Sequence, residues 1–121
     1  MPAVHHLALL VDDLARAERF YVDVLGLPVV KRWTDDDGAP RSIWVGLDDA
    51  FLAIEKAPPG ATLGTRGWSS LALRIEAHER AAWRARFSEH GIAIEHETAF
   101  TLYVRDPEGN RVGVSAWPEA G

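Results

Sequence analysis

The fold is decided by Val4-His5-His6-Leu7-Ala8-Leu9-Leu10-Val11-Asp12-Asp13-Leu14-Ala15-Arg16-Ala17-Glu18-Arg19-Phe20-Tyr21-Val22-Asp23-Val24-Leu25-Gly26. Val4 to Val11 is a short apolar run closed by two aspartates, which suits a strand better than a helix. If His6 faces one side, Ala8 and Leu10 follow it, while Leu7, Leu9 and Val11 turn to the other and His5 points away from His6. From Asp13 the spacing changes. Leu14, Ala17, Phe20/Tyr21 and Val24/Leu25 mark one apolar face of a helix, with Asp13 placed to cap its free amides and Gly26 to end it.

Working outward, Val29 to Trp33, Ile43 to Leu47 and Ala50 to Lys56 read as strands. They are separated by Thr34-Asp35-Asp36-Asp37-Gly38-Ala39-Pro40 and by Asp48-Asp49. The first half is therefore β-α-β-β-β. Sliding the sequence on itself by 64 residues places Leu7-Ala8-Leu9 on Leu71-Ala72-Leu73, Val11 on Ile75, Asp12 on Glu76 and Arg16-Ala17 on Arg80-Ala81. With one residue inserted, Gly26 falls on Gly91. The same order of elements follows: a strand from Ser70, a helix from about Glu76 to His90, then strands near Ile92 to His96, Phe100 to Arg105 and Arg111 to Trp117. The chain thus reads as a duplicated unit, with module 1 about 4–56, a Pro- and Gly-rich linker about 57–67 and module 2 about 68–117.

Length and charge narrow the function classes. One domain accommodates all 121 residues, and a net charge of −5 offers no basic field to nucleic acid or an anionic membrane. The absence of cysteine removes thiolate chemistry and Cys-containing zinc sites, and fits a reducing compartment. No apolar run approaches the roughly 18 residues of a membrane helix, and the start of the chain lacks the pattern of a signal peptide, so a cytoplasmic protein is expected. There is no Gly-rich phosphate loop, Gly-x-Ser-x-Gly elbow or paired-His helix motif. In Trp33 to Trp44, a calcium-loop register puts tryptophan at the first and twelfth positions, so Asp35-Asp36-Asp37-Gly38 reads as a solvated turn.

His6-Leu7-Ala8-Leu9-Leu10-Val11-Asp12-Asp13-Leu14, Phe20-Tyr21, Leu25-Gly26-Leu27 and Leu102-Tyr103-Val104-Arg105-Asp106-Pro107-Glu108-Gly109-Asn110 resemble the vicinal oxygen chelate superfamily. That superfamily includes glyoxalase I, extradiol dioxygenases, fosfomycin-resistance enzymes and bleomycin-resistance proteins. The resemblance implies a single α+β glyoxalase-like domain over 1–121. Two tandem β-α-β-β-β modules would form an open, cup-shaped mixed sheet with helices outside and the ligand inside. The Asp106 turn needs no catalytic role, since Pro107, Asp106 and Gly109 suffice to close the final hairpin.

Metal-dependent members supply one ligand near the start of the first strand of each half and one from the last strand of each half. His6 matches the first position, and Glu55 matches the second within a residue or two. Ser70 and Gly113 stand at the other two, so half of the set is missing, and one His with one carboxylate is too few for a tight divalent site. His96 restores the count only if its strand aims it into the cup, and a partner chain is another route. His78 and His90 lie on the second helix. The resemblance also implies a homodimer.

The remaining candidates carry two readings each. His6 contacts a ligand or is satisfied by neighbouring backbone. Arg74 pairs with Glu55 or binds an anionic group bidentately, or else sits at a strand end reaching solvent. Phe51 and Ala53 share the parity of Glu55, and Tyr103 lies just before the turn, so Phe51 and Tyr103 join the pocket candidates. Trp33, Trp44, Trp68 and Trp117 line a ligand pocket by stacking or belong to core or interface, while Trp83 packs with Phe87. The expected function is small-molecule binding without a metal, with His6, Phe51, Glu55, Ser70, Arg74 and Tyr103 meeting an apolar or aromatic ligand that carries an anionic group. The alternative is a lyase, isomerase or dioxygenase using zinc, nickel, manganese or iron held by His6 and Glu55. A metal-free isomerase or lyase with Glu55 or His6 as general base is a third.

Overall fold

The computed structural model describes residues 2–61 and 69–121, so Gly64 to Gly67 of the expected linker, and Trp68, lie outside the described residues. The chain divides into two compact units, residues 1–64 and 65–121. Each is a four-stranded mixed sheet with its helical segment following the first strand. Among the described residues no helix is long and apolar enough to cross a membrane.

In the first unit β1 (His6–Val11) is followed by α1 (Leu14–Glu18), then β2 (Val29–Thr34), β3 (Pro40–Leu47) and β4 (Ala50–Lys56). The order across the sheet is β1-β4-β3-β2, with β1 parallel to β4 and the other pairs antiparallel. In the second unit β5 (Ser70–Arg74) leads through a short 3₁₀ turn into α2 (Arg80–Glu89), and β6 (His96–Glu97), β7 (Thr101–Arg105) and β8 (Arg111–Ser115) complete the sheet. Its order, β5-β8-β7-β6, repeats the first. The α+β fold with tandem modules is therefore present.

Several local expectations are met for the reasons given. Asp13 accepts a hydrogen bond from the Arg16 backbone amide at 3.0 Å and caps α1. Asp35 accepts from the amides of Asp37 and Ala39, so the triple-aspartate run is a solvated turn. Asp106 does the same for Glu108 and Asn110, and Gly109 takes a φ of 88° that a side chain would resist.

Other expectations need correction. The first helix does not stay α-helical to Gly26, because Arg19–Val24 is a π-helical turn with the Leu25 amide bonded back to the Phe20 carbonyl. The wider turn lets neighbouring Phe20 and Tyr21, and again Val24 and Leu25, all enter the core. Leu7 remains 43% exposed instead of packing under the helix; only Val11, at the end of the edge strand, is fully buried. The strand expected over Ile92 to His96 shrinks to His96–Glu97, since the Ile92 amide is already bonded to the Phe87 carbonyl at the end of α2.

Candidate functional site

Register fixes which side chains share a face. In module 1 the cross-strand pairs His6↔Phe51, Ala8↔Ala53 and Leu10↔Glu55 continue onto β3 as Phe51↔Gly46, Ala53↔Trp44 and Glu55↔Ser42. Alternation then places His6, Phe51, Trp44, Ser42 and Glu55 on one face. Ile43, Val45, Leu52 and Ile54, on the opposite face, form the buried core with Phe20 and Tyr21.

The first face is a run of rings. His6 stacks on Phe51 with centroids 5.0 Å apart and planes at 10°, Phe51 stacks on Trp44 at 4.4 Å, and Trp44 meets Trp33 at 5.3 Å. Lys31 Nζ lies 4.9 Å from the Trp33 ring centre, within cation–π range. His5 belongs here too, contrary to strand parity. It precedes the first residue of β1, its Nδ1 is 2.9 Å from that of His6, and its ring meets Phe51 edge-on. The alternation rule applies only within a strand, and His5 lies outside one.

Glu55 stands at the other end of this face. It pairs with Leu10, four residues beyond His6, which corresponds to about 13 Å along the strand. The structure does not bring the two together.

The matching face of module 2 is ionic. Its rows are Ser70↔Arg111↔Arg105, Ala72↔Gly113↔Tyr103↔His96 and Arg74↔Ser115↔Thr101. The Arg111 guanidinium, 6% exposed, lies 3.8 Å from the Tyr103 ring centre, and the His96 ring stacks with Tyr103 at 6.1 Å. Glu95 binds Arg105 through two contacts, 2.6 and 2.9 Å, and approaches Arg111 to 4.0 Å. The hydrogen bonds from Arg105 hold the Glu95 carboxyl below its usual value. Thr101 and Ser115 hydroxyls meet at 2.7 Å. Arg74 is exposed at the end of β5 and makes no ion pair among the described residues, which is the strand-end placement.

The two modules can be superposed by register alone. Ser70 takes the place of His6, Gly113 the place of Ala53, and Ser115 the place of Glu55. Glu55 and Gly113, read from sequence as matching positions, are therefore two residues apart in register, and Gly113 itself carries no donor. A Cβ added at Gly113 would come within 3.1 Å of both the Tyr103 ring and the Thr101 methyl, so a side chain there requires Tyr103 or Thr101 to give way by a few tenths of an ångström. Among the described residues no group of three or more His, Asp and Glu side chains is placed to hold a metal. The donor set that the resemblance implies for a divalent ion is thus not assembled within either module.

Residue pattern alone missed His5 and Arg111 and left Trp33 and Trp44 undecided. Arg111 had a usable signal, since it shares the parity of Gly113 and lies opposite Ser70. Trp83 packs on Phe87 as expected, while Trp117 is exposed.

These features define a class. The family model of the Glyoxalase/Bleomycin resistance protein/Dioxygenase superfamily matches residues 3–114, and the chain belongs to that superfamily, the vicinal oxygen chelate proteins. It is 32% identical over 117 residues to a catechol-2,3-dioxygenase of Bacillus subtilis, covering 89% of this chain but only 39% of that protein. The chain therefore spans about two fifths of that relative. Among solved structures, a lactoylglutathione lyase of Agrobacterium tumefaciens is 28% identical with a TM-score of 0.75, covering 95% of this chain and 93% of that one. The fosfomycin resistance protein FosX of Listeria monocytogenes, as an E126Q mutant complexed with Mn(II) and 1S,2S-dihydroxypropylphosphonic acid, shares the fold at a TM-score of 0.81 and 17% identity, with 96% and 93% coverage.

Proposed function

We propose that this protein binds an apolar or aromatic small molecule, in the manner of the bleomycin-resistance branch, without a resident divalent metal. The observation that carries the reading is the run of ring contacts His6–Phe51–Trp44–Trp33 on one face of module 1, stacked over the first three rings and tilted at Trp33. A planar ligand would extend this run by offset or edge-to-face contact with its outer rings, and each such contact adds about 0.5–1.5 kcal/mol beyond area burial. Taken by itself, the module 2 face carries Arg74, Arg111 and Tyr103, with Ser70 opposite Arg111, and these suit an anionic group. Glu55 borders the stacking face through Ser42 and limits it to ligands that tolerate a nearby carboxylate. The protein acts as a homodimer in the cytoplasm, with no nucleic-acid or membrane partner.

Titrating the protein with a panel of aromatic acids and their neutral analogues, followed by tryptophan fluorescence, tests the stacking face. Phe51→Ala and Trp44→Ala should each weaken binding about tenfold, a loss of about 1.4 kcal/mol. Unchanged affinity in both would remove the assignment. Light scattering and cell fractionation test the homodimer and its location. Metal content of untagged protein, with His6→Ala alongside, tests the absence of a metal. A stoichiometric ion lost in His6→Ala would instead favour the lyase, isomerase or dioxygenase reading, with zinc, nickel, manganese or iron(II) held by His6 and ligands beyond these two faces.

A further inference from the structure

The two sheets have four edge strands, β1 and β2 in the first, β5 and β6 in the second, and three of them are guarded. β2 carries Lys31 and Arg32 and shifts its register twice against β3. β5 closes on Arg74, and β6 is only His96–Glu97. Charge, bulges and brevity are the ordinary means of keeping an unpaired strand edge from joining another chain. β1 uses none of them. Val4 to Val11 contains no Asp, Glu, Lys, Arg, Pro or Gly, and β1 runs its whole length against β4 without a shift.

The pairing with β4 fixes which backbone groups are open. The Phe51 amide donates to the His5 carbonyl and the Ala57 amide to the Val11 carbonyl, so odd-numbered residues of this strand turn their backbone groups toward β4. The N–H and C=O of one strand residue project to the same edge, and successive residues alternate. His6, Ala8 and Leu10 therefore turn theirs outward. Among the described residues no strand is bonded to that edge.

Apolar surface accompanies the open edge. Val4, Leu7 and Leu10 are exposed by 62, 43 and 43%. Leu7 lies on the helix side of the sheet and Leu10 on the ring side, so a molecule resting on either face would cover only one of them. A strand laid along the edge covers both.

We propose that this edge pairs with a second copy of the chain, β1 against β1, antiparallel about a two-fold axis at Ala8. A two-fold contact needs a surface complementary to itself. With Ala8 opposite Ala8 of the partner subunit, His6 falls opposite Leu10 of the partner subunit and Leu10 opposite the partner's His6. All three positions turn their backbone groups outward, so each pair exchanges two hydrogen bonds. No charged side chain enters this register, so none faces a like charge. The β5 edge of a second copy fits less well, since it brings Arg74 into the apolar row. The pairing rests on the homodimer inferred above. It places Leu10 of the partner subunit beside His6, on the side away from Phe51, so the ring run of each copy ends against its neighbour.

Ala8 is exposed in the single chain, so charges placed there can reach water without entering the core. Light scattering should give twice the chain mass for the wild type and one chain mass for Ala8→Lys or Ala8→Glu alone, because each sets like charges opposite one another across the axis. Mixing the two variants should restore the dimer. A monomeric wild type would overturn both the homodimer and this pairing. Variants that both remain dimeric, or a mixture that stays monomeric, would overturn the pairing and leave the homodimer standing.

Two readouts do not depend on disrupting the interface. The chain has no cysteine, and Cα atoms of a hydrogen-bonded antiparallel pair lie about 5.5 Å apart, within disulfide reach. Oxidised Ala8→Cys should therefore run as a linked dimer. Linkage between Ala8→Cys and Ala72→Cys chains, without any in Ala8→Cys alone, would assign the edge to the partner's β5 and overturn the proposal. In wild-type dimer the amides of His6, Ala8 and Leu10 should resist exchange as those of Leu7, Leu9 and Val11 do. Fast exchange confined to the even-numbered amides would show the edge open and overturn it.

Discussion

The two modules share strand order, pairing sense and register, yet one presents rings and the other ions at corresponding places. Where His6 stacks on Phe51, Ser70 faces Arg111; where Ala53 leaves room for Trp44, Gly113 leaves room for Tyr103. Backbone pairing fixes the stations on a sheet face, and the chemistry at each station is set independently by single residues. Small residues recur at the central station in both modules, Ala53 and Gly113, because a large side chain from the next strand needs that space.

The comparison is broken most severely at Tyr103. Tyr103→Ala removes the ring against which the buried Arg111 guanidinium lies and should destabilise the protein by about 3 kcal/mol, whereas Tyr103→Phe keeps the ring and should be near neutral in urea unfolding. Gly113→Ala should cost about 2 kcal/mol, since its Cβ arrives 3.1 Å from Tyr103 and Thr101. The matching Ala53→Gly should cost only about 1 kcal/mol, because it creates no clash. A smaller effect is expected at Phe51→Ala, where ligand affinity falls about tenfold as measured by fluorescence titration, while the ionic face of module 2 is untouched.

Acidification sharpens the contrast most gently. Glu95 and Glu97 in module 2, and Glu18 in module 1, titrate below their ordinary value of 4.5 because arginines hydrogen-bond their charged forms. Their contribution is present above that value and is lost as pH falls through the lower folded-state values. With two such carboxylates against one, module 2 should loosen first below about pH 4.5. Amide exchange measured separately for β4 and β8 checks the order.

Much of this was legible in sequence. Leu7-Ala8-Leu9 and Leu71-Ala72-Leu73 mark the two first strands, and the residues that share faces with Phe51, Glu55 and Tyr103 follow from alternation. The π-helical turn was not legible, because Phe20, Tyr21, Val24 and Leu25 form an apolar stripe that an ordinary helix also satisfies. Nor was the placement of His5, because it lies just before the first residue of β1, where the alternation on which the reading rests does not apply. The aromatic stack was half visible: Phe51 and His6 were on one face by parity, but the approach of Trp44 and Trp33 depends on pairing between strands, which a single sequence does not print.

The parallel pairing of β1 with β4 has a consequence in time. His6 must find Phe51 across 45 residues, whereas Leu47 meets Ala50 across a tight turn, so the entropy of closure falls almost wholly on the first strand. During synthesis β1 leaves the ribosome before its partner exists, and the β2–β3–β4 meander can form without it. The strand made first is therefore the last to dock, and the stacking face, which needs His6 on Phe51, is among the final features of module 1 to be completed. Pulse-labelled amide exchange during refolding, with β3 protected before β1, is the observation that this order requires.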